Sequence, residues 1–345
     1  MQPPATGAST TEAWRQAMCD AVAAAARAVP VARLLGATLA GVPPIEKSDG
    51  SPVTAADYIL QAIVVASLRE RSRDGRVPLI GEEHADALLA SRRPDVERLV
   101  VDAVRAVLGW RDRAAALACI DGDAPRAGEP AWTIDPIDGT KGFILHSQFS
   151  ICLALIDGPA PVAAALACPR MARAGDLELH PEGPGVILGA SLGGGTFEWD
   201  GAGRDARPVR CPAWTGGTLR WARSMNRSGS VGPGRVEPVL RALVPALVDS
   251  RMDSQCKYAL AARGDADLVV RMPRGDGQVE CIWDHAPGVL LVTEAGGIAT
   301  DVRGAPLDFG RGETLDANAG VLCAAAGLHE RIVEALAPLV AGAGR

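Results

Sequence analysis

The first seventy residues of the chain follow a mainly helical pattern of apolar and polar positions. Residues 12–40 are rich in alanine and predict one or two helices, with a break near Pro30. A polar loop over 46–52 follows, and Thr54 then has the side chain to cap the next helix. After Thr54 the apolar residues recur at the spacing of one helix face. This part of the chain therefore predicts helices joined by a polar loop.

The middle of the chain changes to a strand pattern. Short apolar runs predict strands at 77–80, 131–134, 149–156 and 162–168, with sheet-forming residues continuing to about Leu188 and one helix near 95–108. A glycine-rich segment at 189–204 then predicts a hairpin or loop. We therefore expect a sheet with helices beside it in the first part of the protein.

From about residue 211 strands and helices alternate. We predict a strand at 219–223, a helix at 235–247, a strand at 267–271 and a helix at 284–295. The fold class is therefore expected to be α/β. An α+β lobe spans 1–210 and an α/β lobe spans 211–345.

Composition narrows the class of protein. The chain has 345 residues, 48% apolar and 22% charged, which suits two compact lobes of a soluble protein. Its net charge of −6 argues against a nucleic-acid polymer as partner, because phosphate backbones need a basic surface. Eight scattered cysteines predict free thiols in a reducing compartment. The apolar run at 21–39 contains Arg27, Pro30 and Arg33, and no signal peptide is evident, so we expect a cytoplasmic protein without a membrane partner.

The stretch Asp135-Pro136-Ile137-Asp138-Gly139-Thr140 carries the most chemistry. A strand is predicted to end at Asp135, and Asp138 follows three residues later, so that both carboxylates can point into one space. Gly139 and Thr140 then offer backbone N–H groups that suit an anion. Magnesium prefers such carboxylate oxygens, together with water and substrate phosphate. The stretch therefore predicts a site for a phosphate and a hard cation.

Other acidic residues each have an ordinary structural explanation. Glu82 fits a solvated surface pair with its neighbour, Asp284 fits a helix cap, and Asp57 fits the first turn of a helix. An isolated Asp-x-x-Asp is more often a polar turn than a site. Occurring together and in this order, these residues favour a metal-dependent active site.

The ordered set resembles the inositol-monophosphatase superfamily of lithium-sensitive, magnesium-dependent phosphatases. The stretches that carry the resemblance are Gly81-Glu82-Glu83, the Asp135 to Thr140 motif, Trp283-Asp284-His285-Ala286 and Glu294-Ala295-Gly296-Gly297. The resemblance implies the layered α-β-α-β-α sandwich of the inositol monophosphatase and fructose-1,6-bisphosphatase type.

Within that superfamily the sequence is most similar to the 3′(2′),5′-bisphosphate nucleotidases. The supporting stretches are Lys141-Gly142-Phe143, Ala167-Cys168-Pro169, Asp253-Ser254-Gln255-Cys256-Lys257-Tyr258 and Ile282-Trp283-Asp284-His285. The third stretch discriminates best, because inositol phosphatases are not expected to carry it. This similarity implies hydrolysis of the 3′-phosphate of adenosine 3′,5′-bisphosphate, and of its phosphosulfate relative, in sulfur metabolism.

The resemblance also assigns roles to individual residues. It implies two to three Mg²⁺ ions held by Glu82, Asp135, the carbonyl of Ile137, Asp138 and Asp284. It implies that Asp57 and Thr140 activate the attacking water, that the amides of Gly139 and Thr140 hold the phosphate, and that Ser254, Lys257, Arg271 and Arg227 contact the nucleotide. The expected partner is a small phosphate ester, and the oligomeric state stays open, with a monomer favoured.

The sequence departs from the family pattern at two places, and three alternative functions stay open. Cys281 stands where the family has a basic residue, and the segment 144–147 lacks an expected arginine and acid. Inositol or sugar phosphates are alternative substrates, and a non-catalytic phosphometabolite-binding protein is a further alternative. Gly189-Ala190-Ser191-Leu192-Gly193 also matches the nucleophile elbow of serine hydrolases, but residues 194–201 form a poor helix, which that elbow requires.

Overall fold

The computed structural model describes residues 8–38, 43–46, 52–109, 112–173, 185–224, 233–273 and 279–341. The helices are α1 (Ala8–Thr38), α2 (Ala55–Arg69), α3 (Ala85–Ala90), α4 (Pro94–Leu108), α5 (Arg113–Asp121), α6 (Thr140–Ile144), α7 (Pro233–Leu243), α8 (Cys256–Ala262), α9 (Ala286–Glu294) and α10 (His329–Ala341). A 3₁₀ helix spans Ile282–Asp284.

The strands form a two-stranded ribbon and two larger sheets. They are β1 (Ile45–Glu46), β2 (Pro52–Val53), β3 (Leu79–Gly81), β4 (Ala131–Asp138), β5 (Ser150–Asp157), β6 (Ala160–Cys168), β7 (Val186–Ser191), β8 (Gly195–Asp200), β9 (Arg207–Val209), β10 (Thr218–Arg223), β11 (Ala246–Arg251), β12 (Leu268–Arg271), β13 (Ile298–Thr300) and β14 (Val321–Ala324).

The seven-stranded sheet has the order β3-β4-β5-β6-β7-β8-β9. β3 runs parallel to β4, and the other neighbours are antiparallel. Strand β6 is buried on both faces, because Ala163, Ala165 and Ala167 join the core formed with α1 and α2, whereas Leu166 and Cys168 join the opposite core. The small alanine side chains allow α1 to pack closely on the sheet.

The five-stranded sheet has the order β11-β10-β12-β14-β13. Helices α8 and α9 lie between the two sheets, since α9 packs on β6 while α8 packs on β10 and β12. Helices α7 and α10 share a third core with the outer face of this second sheet. The predicted α/β class and its α-β-α-β-α layering are therefore confirmed.

The predicted break near Pro30 is wrong. Helix α1 continues through Pro30, which is exposed while Ala28 and Val29 beside it are buried. A proline removes one hydrogen bond from the helix ladder. Residues before and after Pro30, among them Ala28, Val29, Ala32 and Leu35, are buried in the first core, which stabilises α1 on both sides of that lost bond.

The predicted helix at 235–247 is too long, because α7 ends at Leu243 and β11 starts at Ala246. β11 lies at the edge of its sheet, and most of its residues are partly or fully exposed. An exposed edge strand has no need of apolar alternation, which is why the sequence pattern did not predict it. The chain passes from the first sheet to the second between β9 and β10.

The serine-hydrolase alternative fails on the local fold. Ser191 ends β7, its side chain is buried, and a three-residue turn leads directly into β8. A nucleophile elbow needs a helix immediately after the serine, with the hydroxyl exposed. The predicted hairpin over this segment is confirmed.

All eight cysteines are free, and six of them are buried. This agrees with the expectation of unpaired thiols. Among the helices of the described residues, none combines the length and apolar character that crossing a bilayer requires.

Glu294 at the end of α9 ties the middle helical layer to the first sheet. Its two carboxylate oxygens accept hydrogen bonds from the backbone N–H groups of Gly193 and Gly195, each at 2.9 Å. Next to them the Thr196 hydroxyl donates to the carbonyl of Leu291 at 2.8 Å. The β7–β8 hairpin is thus fixed to α9 by charge-assisted bonds.

We predict that Glu294→Ala lowers the free energy of unfolding by about 1–3 kcal/mol, because two amides lose a charged acceptor. Urea denaturation measures this change. Glu330→Ala, at an exposed position of α10, is the control and should stay within about 0.5 kcal/mol of the parent protein. Equal stabilities of the two variants would show that the contact contributes nothing.

Candidate active site

A cavity of about 330 Å³ opens where the two sheets and the middle helices meet. Its wall includes the acidic residues Glu82, Asp138, Glu280 and Asp284, the basic residues Lys257 and Arg271, and the apolar residues Trp221, Val269 and Met272. The candidate residues Gly139, Thr140 and Ser254 also line it. Most of the residues singled out in the sequence are therefore brought to one cavity.

The end of β4 carries an irregularity that places two carboxylates together. In a regular strand, residues three apart point to opposite faces. Here Asp135 pairs with Cys152 and Asp138 pairs with Ser150, so β4 has one residue more than its partner between the two pairs. As a result, ligand atoms of Asp135, Asp138 and Cys152 all lie within 4.8 Å of one another.

Glu82 and Asp284 complete an acidic group around this bulge. The backbone N–H of Glu82 donates to the Ile134 carbonyl at 3.1 Å, which holds the end of β3 beside β4. Burial raises the pKa of Asp135 well above its usual value, and the charges of Glu82, Asp138 and Asp284 raise it further. Burial and neighbouring carboxylates raise the pKa of Asp284 in the same way.

These four side chains fit a divalent cation. They supply only oxygen donors, the kind that Mg²⁺ prefers. The neighbouring negative charges raise the pKa of Asp135 and of Asp284 because these side chains share a partly buried space. A bound cation attracts each carboxylate and so offsets the repulsion between their negative charges. The donor set thus agrees with the divalent-metal use that the sequence resemblance implies.

Asp138 is also held by the loop that precedes α8. Its Oδ2 atom accepts a hydrogen bond from the backbone N–H of Gln255 and another from the Ser150 hydroxyl at 3.4 Å. The loop approaches so closely that a Cβ atom on Gly139 would lie 3.0 Å from the Cβ of Ser254. Gly139 also has a left-handed φ of 89°, so both the close contact and the backbone conformation favour glycine there.

Gln255 ties three elements of the site together, a role that the sequence analysis did not assign. Its side-chain amide donates to the carbonyl of Trp283 at 2.8 Å, and its Oε1 atom accepts from the N–H of Gly288 at 3.2 Å. The start of α8 is thereby fixed to the 3₁₀ helix that carries Asp284. The sequence offered a signal, because Gln255 lies inside the discriminating Asp253 to Tyr258 stretch.

The residues predicted to activate water lie on two different helices, α6 and α2. The Thr140 hydroxyl donates to the carbonyl of Ile137 at 3.2 Å. Asp57 is buried in α2, where its Oδ2 atom accepts from the N–H and the hydroxyl of Thr54, both at 2.7 Å. Helix α6, which begins at Thr140, lies near β2, the strand that leads into Thr54. The pairing of Asp57 with Thr140 stays a prediction.

Two of the basic residues have defined partners. Lys257 Nζ donates to the Ser254 carbonyl at 2.7 Å and lies 3.4 Å from the Ser224 hydroxyl. Burial lowers the pKa of Lys257, although the charge of Asp138 opposes this effect. Arg271 Nε donates to Glu280 at 2.9 Å.

Arg227, the other residue predicted to contact the nucleotide, lies outside the described residues. Tyr258, Glu280 and His285 also line the cavity, although the sequence analysis gave none of the three a role.

Comparison with known proteins agrees with this site and fold. The chain matches the inositol monophosphatase family over residues 14–341. It is 35% identical to a 3′(2′),5′-bisphosphate nucleotidase of Schizosaccharomyces pombe, over 85% of this chain and 86% of that protein. It is 32% identical to the 3′,5′-bisphosphate nucleotidase 2 of Arabidopsis thaliana, over 84% of this chain and 87% of that protein.

Solved structures support the fold. The structure of the Thermotoga maritima IMPase superposes with a TM-score of 0.62 at 18% identity, covering 94% of this chain and 97% of that one. The resemblance seen in the sequence motifs is confirmed by these matches. The chain therefore belongs to the inositol monophosphatase family.

Proposed function

We propose that this protein is a Mg²⁺-dependent phosphomonoesterase that hydrolyses the 3′-phosphate of adenosine 3′,5′-bisphosphate to give AMP and phosphate. Its phosphosulfate relative is proposed as a further substrate. The observation that carries the proposal is one cavity whose wall holds the carboxylates of Glu82, Asp138 and Asp284 as well as the cations Lys257 and Arg271. The names of the S. pombe and Arabidopsis relatives support the same substrate.

The acidic group would hold the metal. Glu82, Asp135, Asp138 and Asp284, with the carbonyl of Ile137, are proposed as ligands for two to three Mg²⁺ ions. When bound, these ions would neutralise the phosphate oxygens and make the attacking water more acidic. The bulge in β4 and the N–H of Gln255 fix the carboxylates in advance, so that little reorganisation is needed when the substrate enters.

The protein would supply proton transfer and orientation. Asp57 is proposed to accept a proton of the attacking water through the Thr140 hydroxyl, a role generally worth about 10²- to 10⁴-fold in rate. The amides of Gly139 and Thr140 are proposed to hold the transferring phosphate. The water oxygen forms the new bond to phosphorus, and the bond from phosphorus to the ribose 3′-oxygen breaks.

The basic residues would select the nucleotide. Ser254, Lys257, Arg271 and Arg227 are proposed to contact it, with Lys257 and Arg271 next to the second phosphate. Lysine acts there as a point charge and arginine as a planar fork. The cavity volume of about 330 Å³ is in the range of small-molecule sites.

The alternatives fit the site less well. Inositol and sugar phosphates need the same carboxylates, but the stretch from Asp253 to Tyr258 favours a bisphosphorylated nucleoside. A non-catalytic binding protein would not need Asp57 and Thr140 as a pair that activates water. We further propose that the enzyme is sensitive to lithium, takes part in sulfur metabolism and is a cytoplasmic monomer. We also propose that the chain divides into lobes at 1–210 and 211–345. The first lobe would carry most metal ligands, and the second would carry Asp284 and the substrate contacts.

We predict that Asp138→Asn and Asp284→Asn each lower kcat by at least about 100-fold, because each removes a charged ligand for the metal. Both variants should stay folded, since each removes one of several mutually repelling carboxylates. Phosphate release and thermal unfolding measure the two effects. Asp102→Asn on the exposed face of α4 is the control. Near-full turnover by either site variant would contradict the assignment.

We predict that Arg271→Ala raises the KM for adenosine 3′,5′-bisphosphate by about tenfold or more, because hydrogen bonds to charged groups contribute on that scale. The value of kcat should change less, since Arg271 is not placed at the reacting phosphate. Steady-state kinetics give both constants. Arg98→Ala, at an exposed position of α4, is the control. An unchanged KM would remove Arg271 from the nucleotide subsite.

A further inference from the structure

A continuous hydrogen-bonded chain of side chains runs along the cavity wall behind Arg271. Glu280 Oε1 accepts from Arg271 Nε at 2.9 Å, and Glu280 Oε2 lies 3.1 Å from His285 Nε2. His285 Nδ1 lies 2.6 Å from the Tyr258 hydroxyl. Glu280, His285 and Tyr258 are all buried, whereas the side chain of Arg271 is 34% exposed. Arg271 is thus the end of the chain that is most open to solvent.

The charge of Glu280 fixes the direction of the two hydrogen bonds that it accepts. Burial opposes ionisation of Glu280, but His285 and Arg271 outweigh it and lower the pKa of Glu280 to about 2. An ionised carboxylate only accepts hydrogen bonds, so His285 must donate through Nε2. On the other side of the ring, His285 Nδ1 faces the Tyr258 hydroxyl at 2.6 Å. Both oxygens of Glu280 and both ring nitrogens of His285 are satisfied by this arrangement.

The far end of the chain is anchored to the rest of the site. Tyr258 follows Lys257 in α8, and its ring packs so tightly on Gly288 that there is no room for a Cβ atom there. His285 directly follows Asp284, one of the proposed metal ligands. The chain therefore connects Arg271 on β12 with the acidic group on one side and with the lysine on the other.

The bond to Glu280 also controls the orientation of the arginine. It uses Nε, so it restrains the guanidinium and leaves Nη1 and Nη2 outside this ion pair. Arginine binds phosphate best through two parallel N–H groups in one plane. A long side chain that is already held in place also loses less conformational entropy when it binds an anion.

From these contacts we infer that Glu280 is a positioning residue for the second phosphate, acting through Arg271 and held in place by His285 and Tyr258. The inference rests on the proposed function, since it assumes that Arg271 meets a second phosphate. Glu280 sets the orientation of the guanidinium and its distance from the carboxylate group. The enzyme would thereby favour esters in which a second phosphate stands at that distance from the scissile one.

The test compares adenosine 3′,5′-bisphosphate with adenosine 3′-monophosphate, which lacks the second phosphate. For Glu280→Ala we expect the KM of the bisphosphate to rise about tenfold, on the scale of a hydrogen bond to a charged group. We expect the kcat/KM of the monophosphate to change less than about threefold. In an Arg271→Ala background Glu280→Ala should add less than about threefold for either substrate, because residues that act as a unit are not additive.

Two further variants separate positioning from folding. Glu198→Ala breaks another buried glutamate–arginine pair, with Arg263, and neither residue of that pair lines the described part of the cavity wall. It should lower stability without changing the preference between the two substrates. Tyr258→Phe removes one hydroxyl and keeps the ring against Gly288, and it should shift the preference in the same direction as Glu280→Ala by a smaller factor. If Glu280→Ala does not fold, the substrate preference of Tyr258→Phe tests whether this chain positions Arg271.

The outcomes distinguish failure of the proposed nucleotide subsite from failure of the role proposed for Glu280. A parent enzyme that does not prefer the bisphosphate contradicts the proposed nucleotide subsite, and the inference fails with it. A parent enzyme that prefers the bisphosphate, with variants that keep the preference or weaken both substrates equally, overturns the role of Glu280 alone. A lower KM for the bisphosphate in Glu280→Ala also overturns it, because the carboxylate would then only mask the charge of Arg271.

Discussion

Repulsion among the carboxylates at the end of β3 and β4 is the constraint on which the rest of the site depends. Four acidic side chains share a partly buried space, and their charges, together with burial, raise the pKa of Asp135 and of Asp284. Such a group is tolerated only where donors or cations surround it. The backbone N–H of Gln255 and the Ser150 hydroxyl donate to Asp138, and the N–H of Ile137 donates to Asp135 at 3.0 Å. The remaining negative charge is what a divalent cation would balance.

The layered fold brings those donors to the carboxylates. Helices α8 and α9 lie between the sheets. The loop that leads from the five-stranded sheet into α8 therefore contacts the end of β4 in the seven-stranded sheet. Glu294 fixes the far end of α9 to the β7–β8 hairpin, and Gln255 fixes its start. The site is therefore assembled across the packing interface that also forms the second hydrophobic core. Stability and geometry of the site depend on the same contacts.

Sequence patterns predicted the features that local chemistry determines. The long buried strands β5 and β6, the carboxylate motifs and the layered fold followed from apolar runs and from the family resemblance. The edge strand β11 could not be found this way, because its exposed residues carry no apolar period. Pro30 indicated a break that packing overrides. The chain behind Arg271 joins residues up to 27 positions apart, so no local pattern contains it.

The most direct test is phosphate release from adenosine 3′,5′-bisphosphate, inositol 1-phosphate and fructose 1,6-bisphosphate, each with and without Mg²⁺ and Li⁺. Turnover that needs Mg²⁺, is inhibited by Li⁺ and is fastest with the bisphosphonucleotide is the predicted result. Preference for another ester would keep the carboxylate site and contradict the nucleotide subsite. Absence of turnover with all three substrates in the presence of Mg²⁺ would contradict the catalytic assignment itself.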